Sequence, residues 1–194
     1  MKKLSESIWS DMQDRSIGDT VRKEDIITTN EVLRNKIQEL YKEQGEGDTL
    51  DVSSLTNIIK CDDFSYLFSG FKRVKHIIGL EDWDVSNVKD MFRMFSNCDN
   101  FNSDLSKWDV SNVKNMFGMF DNCKTFNSDL SKWDVSDVEN MGYMFAGCIN
   151  FNSDLSKWNV SDVGNMNGMF DNCKSLKQIP SWYMNKQIPS WYEN

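Results

Sequence analysis

The sequence predicts an α/β fold, a short right-handed solenoid of about five turns with one short strand and one short helix per turn and a helical N-terminal cap. The first observation is a repeated segment. FNSDLSKWDVS stands at 101–111 and 126–136, and FNSDLSKWNVS stands at 151–161. The second is that units of 25 residues align without gaps from Trp83, Trp108, Trp133 and Trp158. A fixed period of about 20–50 residues is typical of solenoids.

Each unit divides into a strand and a helix because the spacing of its apolar residues changes. Leu105-x-x-Trp108-x-Val110 has the alternation of a short strand, with Trp and Val on one face. The next apolar residues form the stripe of a short α- or 3₁₀-helix, with Ser111 at its N-cap. They are Val113, Met116, Met119, Phe120 and Cys123. Neighbouring strands are expected to pair in a parallel sheet, about 4.8 Å apart.

A degenerate turn precedes the regular units. Residues 50–82 repeat the pattern with Leu50 in place of Trp and a Phe-x-x-Leu-Phe run at 64–68. An insertion follows Leu55, and Cys61 falls within it, out of register with the other cysteines. The repeat region is therefore predicted to span 50–176.

Both ends of a solenoid expose apolar edges and need caps. Residues 26–49 are predicted to form a helical N-terminal cap, because Thr28-x-x-Glu31 is a capping box before an apolar stripe. Residues 1–25 are interpreted as a leader. Residues 177–194 contain KQIPSWY twice and are interpreted as a C-terminal cap and tail, with a last strand stopped by Pro180.

Four of the five cysteines stand one repeat apart, in step with the four tryptophans that begin the units. They are Cys98, Cys123, Cys148 and Cys173. No CxxC pair accompanies them, and zinc sites need closely spaced ligands. The odd count argues against a disulfide framework. We interpret these residues as a structural ladder with one buried thiol per turn, and we predict no metal or other cofactor.

The repeats resemble the leucine-rich repeats of the BspA-like family. L-x-x-W-x-V is similar to the L-x-x-L-x-L strand, and M-F-x-x-C-x-x-F is similar to the A-F-x-x-C-x-x-L helix. W-D-V-S-N-V-x-N-M-x-x-M-F resembles the 25-residue surface repeats of mycoplasmas, gut bacteria and some viruses. The resemblance implies a leucine-rich-repeat-like solenoid for adhesion or protein binding, without enzymatic activity. Residues 6–25 are also similar to leaders of proteins from gut Bacteroidetes phages.

Composition restricts the partners and the location that we expect. The net charge is −8, so we predict no nucleic-acid partner, which would need a basic surface. No run approaches the roughly 18 apolar residues of a membrane span, so no membrane insertion is predicted. The first residues lack the apolar core of a secretory signal. We therefore expect a cytoplasmic protein or one carried in a virion, which reaches a cell surface only by another export route.

No catalytic site is predicted, because the only histidine, His76, has no accompanying nucleophile or nucleotide-binding motif. Polar rows recur at 102 and 104, 127 and 129, and 152 and 154, where Asn and Asp alternate. Stacked oxygen ligands can hold calcium, but Asn and Asp also bond to the N–H groups of their own turns. We favour the turn interpretation, and a calcium-stabilised surface adhesin stays an alternative.

The positions that vary between units supply the candidate binding surface. Large apolar side chains or Arg occupy some of them, at predicted exposed positions of the helix; these are Phe92, Arg93, Phe117, Tyr143 and Ile149. Such residues are the usual anchors of protein interfaces. A solvated face would also vary, and the nearly invariant strand row of Lys107 and Asp109 is another possible surface. We predict a protein-recognition or assembly scaffold with a protein partner; a structural or packaged phage component is the alternative.

Overall fold

A computed structural model describes residues 29–55 and 61–184. Its helices are α1 (Asn30–Glu43) and the short α2 (Ser181–Met184). Strands β1 (Thr49–Asp51) and β2 (His76–Ile78) pair in parallel, and a 3₁₀ turn at Leu80–Asp82 follows. The leader at 1–25 and the second KQIPSWY copy lie outside the described residues. Within the described ranges, no helix has the length and apolar character of a membrane span.

Helix α1 begins where an N-cap meets an apolar stripe. The Thr29 hydroxyl oxygen accepts a hydrogen bond from the Val32 N–H (3.4 Å), so the N-cap is Thr29 and not Thr28 of the predicted capping box. Leu33 and Ile37 lie one helical turn apart and are fully buried in the same core as the repeat units. The predicted helical region therefore contains a helix that buries one face against the repeats.

The units from 83 onward consist of turns, and the prediction of one short strand and one short helix in each of them is wrong. In an α-helix each N–H donates to a carbonyl four residues earlier in the same segment. Here alternate N–H groups donate to the next unit instead. Those of Met91, Arg93, Phe95 and Asn97 donate to the carbonyls of Asn115, Phe117, Met119 and Asp121 (2.7–2.9 Å). Three N–H groups between them donate three residues back, and the pattern recurs in the following units.

Left-handed backbone at two positions of each unit explains this departure from a helix. In the unit that begins at Trp108 they are Gly118 and Asn122, with φ of 59° and 60°. A right-handed helix does not continue through a residue in the left-handed region. The chain changes direction at both positions, and its N–H groups bond carbonyls of the neighbouring unit.

Parallel bridges join successive units at one position. They connect Asp63, Asp90, Asn115, Asn140 and Asn165 in series. The Asn115 amide also donates to the Asp90 carboxylate (3.2 Å), and the Asn165 amide donates to Asn140 Oδ1 (3.0 Å). Neighbouring units are therefore in direct contact along the repeat, while the right-handed solenoid as a whole stays a prediction.

The core contains a column of stacked phenylalanine rings, one from each unit. The rings of Phe68, Phe95, Phe120, Phe145 and Phe170 have centroids 5.3–5.8 Å apart and planes within 7° of parallel. All five are fully buried. Such stacked pairs contribute about 0.5–1.5 kcal/mol each beyond their buried area. The column therefore links the units into one core.

The buried tryptophans bond the preceding unit through their indole N–H groups. Trp108, Trp133 and Trp158 donate to the carbonyls of Leu80, Leu105 and Leu130 (3.0–3.2 Å). Trp182 donates to the Leu155 carbonyl (2.9 Å), so Ile179-x-x-Trp182 in the first KQIPSWY copy continues the L-x-x-W motif. The stretch before Pro180, predicted as a last strand, has no strand structure.

The four cysteines in register are buried and bond the preceding unit in the same way. Cys98, Cys123, Cys148 and Cys173 donate to the carbonyls of Phe68, Phe95, Phe120 and Phe145 (2.9–3.0 Å). Burial raises the pKa of the Cys98 and Cys173 thiols to about 12. A buried, protonated thiol is a poor nucleophile and metal ligand, in keeping with a packing role.

The first unit has carbonyls that no earlier unit can bond, and Asn30 of α1 supplies donors for two of them. Its amide donates to the carbonyls of Asp63 (3.2 Å) and Ser65 (2.9 Å). These two residues correspond to Asp90 and Phe92, whose carbonyls accept N–H groups from the preceding unit. One side-chain amide thus replaces two main-chain donors at an edge that would otherwise be open.

Asn30→Ala should lower the free energy of unfolding by about 1–3 kcal/mol, because two partly covered carbonyls lose their donor. Urea unfolding measures this change. Asn35→Ala is the matched control, since Asn35 is exposed on the same helix. The control should stay within about 0.5 kcal/mol of the parent. Equal losses in both variants would show that the Asn30 bonds do not cap the first unit.

The thiols should make the fold sensitive to alkaline pH. In the unfolded chain a thiol releases its proton at about pH 8.5, whereas folded Cys98 keeps its proton up to about 12. Stability is therefore complete below about pH 8.5 and falls as the pH rises through this window. Cys98→Ala should reduce the fall in unfolding free energy between about pH 8 and about pH 10 by about 2 kcal/mol. Parallel curves for variant and parent would contradict a buried, protonated thiol.

Candidate functional site: a row of aromatic side chains on the turns

Four aromatic side chains from successive units form a row at the surface, here called the aromatic row: Tyr66, Phe92, Phe117 and Tyr143. The Tyr66 ring meets the Phe92 ring edge to face, with centroids 5.2 Å apart. Phe92 and Phe117 stack at 5.4 Å, and Phe117 and Tyr143 lie 5.6 Å apart at a tilt of 60°. The two tyrosines are 38% and 43% exposed, so the ends of the row are its most accessible parts.

Arg93 lies over the middle of the row. Its guanidinium carbon is 5.8 Å from the Phe92 ring centroid and 5.7 Å from that of Phe117, within the range of a cation–π contact. The Asp121 carboxylate lies 3.9 Å from Arg93 Nη1. Burial raises the pKa of Asp121, while the Arg93 charge acts in the opposite direction. Two rings and a carboxylate thus hold a cation at the surface of an acidic protein.

The backbone under the row is left-handed at one position in every unit. Its φ angles are 59° at Tyr66, 51° at Arg93, 59° at Gly118, 54° at Tyr143 and 62° at Gly168. Glycine adopts this conformation without steric cost, whereas other L-residues lose about 1–2 kcal/mol. Two units use glycine there, and three hold a large side chain at that cost.

Glycines of the following unit provide the surface on which two of the rings lie. A Cβ atom on Gly142 would come within 3.0 Å of the Phe117 ring, and one on Gly168 within 2.6 Å of the Tyr143 ring. Each ring therefore packs directly on the backbone of the next unit. The row depends on the order of large and small residues along the repeat.

The structure brings four of the five predicted binding residues together. Phe92, Arg93, Phe117 and Tyr143 are in contact, on turns rather than on the predicted helix. The two phenylalanines, predicted as exposed, are half-buried because they stack on each other. Ile149 lies in another set of equivalent positions, where Lys124 and Asp99 of the preceding units form an ion pair (2.6 Å).

Sequence reasoning missed Tyr66. It belongs to the degenerate turn, where the Phe-x-x-Leu-Phe run already aligned with Met-x-x-Met-Phe and placed Tyr66 level with Arg93. A comparison of variable positions that included this turn would have found it. Arg34 of α1 lies 5.9 Å from the Tyr66 ring centroid, so the row begins beside the N-terminal helix.

The predicted polar rows serve the turns. Oδ1 atoms of Asp104, Asp129 and Asp154 accept the N–H groups of Ser106, Ser131 and Ser156 (2.9 Å). These main-chain bonds hold the pKa of the three carboxyls below its ordinary value. Asn102 and Asn127 accept the N–H of the equivalent Asn one unit later (2.8 Å). Over 29–55 and 61–184, no three or more His, Cys, Asp or Glu are grouped to hold a metal ion.

Glycine and alanine substitutions should test the left-handed position with opposite signs. Tyr143→Gly should be about 1 kcal/mol more stable than Tyr143→Ala, because both lose the ring and only glycine relieves the positive φ. At Phe117, where φ is not positive, Phe117→Gly should instead be about 0.5–1 kcal/mol less stable than Phe117→Ala. Urea unfolding of the four variants gives both differences. The same sign at both sites would contradict the backbone described here.

Residues 62–183, more than half of the chain, match a protein family described as "Mycoplasma protein of unknown function, DUF285". Comparisons with curated proteins and with solved structures give no match. The family match covers the degenerate turn from Asp62, the four regular units and the first KQIPSWY copy, which together carry the whole aromatic row. On this evidence the chain belongs to the DUF285 family of mycoplasma proteins.

Proposed function

We propose that this chain is a non-enzymatic scaffold for protein recognition or assembly, and that the aromatic row with Arg93 is its binding surface. The scaffold is a short right-handed solenoid of the BspA-like, leucine-rich-repeat type, built from stacked turns. The description of the family assigns no function, so the proposal depends on the chemistry and geometry of the row.

The observation that carries the proposal is the choice of residue at the left-handed position. Gly118 and Gly168 demonstrate that glycine is sufficient to make this turn. Tyr66, Arg93 and Tyr143 nevertheless keep large side chains there, and a strained backbone at the surface is a feature of functional sites. Ring packing offsets only part of the strain at the two tyrosines, because more than a third of each side chain stays in water.

The composition of the row matches what a protein interface needs. Tyr and Arg are enriched among the residues that contribute most to binding, and they lose little conformational freedom when they are already held in place. Here ring contacts and the Asp121 carboxylate hold Arg93 before any partner arrives. An acidic surface surrounds the row, since the chain has a net charge of −8. The row is therefore an apolar and cationic strip on an acidic protein.

Other readings have less support from the described residues. The phage-component alternative depends on the leader at 6–25, which lies outside the described ranges. The calcium-stabilised adhesin would need carboxylates that are free to bind a metal, whereas those of the polar rows are bonded to turn N–H groups.

Quantitative affinity capture from the native host tests the proposal with three forms of the full chain. The first is the parent, and the second is Tyr66→Gly with Tyr143→Gly, which removes both exposed rings at positions that tolerate glycine. The third is Lys132→Ala with Asp134→Ala, a matched pair of changes away from the row. Thermal unfolding of each form verifies that it is folded before use.

We expect the recovery of a specific partner to fall at least about tenfold with the glycine variant and to be unchanged with the Lys132 and Asp134 variant. The same proteins captured equally by all three forms would exclude the row as the binding surface. Selective loss with the Lys132 and Asp134 variant would move the site to the opposite, nearly invariant row.

A further inference from the structure

The indole N–H of Trp83 differs from those of the other described tryptophans. Trp83 is 8% exposed, and its Nε1 atom is buried without a hydrogen-bond partner among the described residues. Trp108, Trp133, Trp158 and Trp182 each donate to a leucine carbonyl of the preceding unit. A buried donor without a partner costs about 1–3 kcal/mol. The first regular unit therefore contains an unused donor.

The reason lies in the degenerate turn before Trp83. Every other indole points toward the unit before it, where the L-x-x-W motif presents its leucine carbonyl. The turn before Trp83 has Leu50 in place of Trp and lacks this motif, and β1 pairs with β2 in its own register. Val52 instead donates its N–H to the Ile78 carbonyl (2.9 Å). The acceptor that the repeat supplies elsewhere is thus missing on this side of Trp83.

A cleft of about 190 Å³ opens on that side, between 52–55 of the degenerate turn and 79–84. Its apolar walls are Val52, Leu55 and Trp83, and Ser53, Asp82 and Asp84 also line it. The cleft is smaller than the roughly 300–1,000 Å³ of most small-molecule and cofactor sites. Its size fits one short stretch of peptide better than a cofactor.

We propose that this cleft, here called the Trp83 cleft, binds a peptide segment of a protein partner through one main-chain carbonyl and an adjacent basic side chain. The carbonyl accepts the Trp83 indole N–H, as the leucine carbonyls do at 2.9–3.2 Å in the other units. A second position of contact with protein is thereby assigned, independent of the aromatic row.

Charge at the rim of the cleft selects a basic residue. Asp82 and Asp84 are exposed carboxylates on the same side of the cleft. The Ser86 hydroxyl and N–H both donate to Asp84 Oδ1 (2.6 and 3.0 Å), which holds the pKa of Asp84 below its ordinary value and keeps it ionised at neutral pH. Each exposed ion pair contributes about 0.2–1 kcal/mol, so the two carboxylates favour a cation modestly.

Indole N–H resonances of the full chain, labelled with ¹⁵N at tryptophan, provide a direct test. The probe is N-acetyl-lysine N-methylamide, which carries two amide carbonyls and one ammonium group. N-acetyl-glutamate N-methylamide is its matched control. Trp83→Phe identifies the Trp83 signal, and Trp108, whose N–H is already bonded to Leu80, is the internal reference.

We expect the lysine probe to shift the Trp83 indole signal downfield in a saturable manner and to leave the Trp108 signal in place. Asp82→Asn with Asp84→Asn should weaken the probe about threefold to tenfold, because it removes both charges and keeps the side-chain shape. The glutamate probe should bind more weakly than the lysine probe. No shift of the Trp83 signal up to the solubility limit, or equal shifts of all indole signals, would overturn the site. Equal binding of the two probes would overturn its preference for a basic residue.

Discussion

The main-chain hydrogen bonds between units are the interaction on which the other features of this protein depend. Alternate N–H groups of each unit find acceptors only on the next unit, so an isolated unit would leave several of them without partners. The same bonds hold the units at the spacing where phenylalanine rings stack and where indole and thiol groups reach carbonyls. They are also directional, so the first unit has open carbonyls, and Asn30 bonds two of them.

Both candidate binding sites arise where the chain departs from the regular repeat. The aromatic row exists because three units place a large side chain at a left-handed position that glycine fills in two others. The Trp83 cleft exists because the degenerate turn lacks the leucine carbonyl that later units present. Regular positions point inward and satisfy the stack, whereas irregular ones leave side chains or donors available to another molecule.

The apolar pattern predicted which residues are buried but not the backbone that buries them. Val113, Met116, Met119, Phe120 and Cys123 are all in the core, as their spacing indicated. That spacing is shared by a short helix and by turns with bonds to the third residue back, so periodicity alone does not separate them. The difference lies in acceptors one repeat away in the sequence, which no local pattern contains. Tyr66 was missed because its turn was read only for its apolar residues.

The sequence by itself determined the repeat, its register, the buried ladders of Trp and Cys, and the variable positions that supply Phe92, Phe117 and Tyr143. These follow from composition and spacing, which are properties of the chain. Only the tertiary structure decided that the units are turns, that Arg93 lies over two rings, and that the Trp83 N–H has no acceptor among the described residues. Each of these depends on groups about one repeat apart, and hydrogen bonds and ring contacts form only when folding brings such groups within a few ångströms.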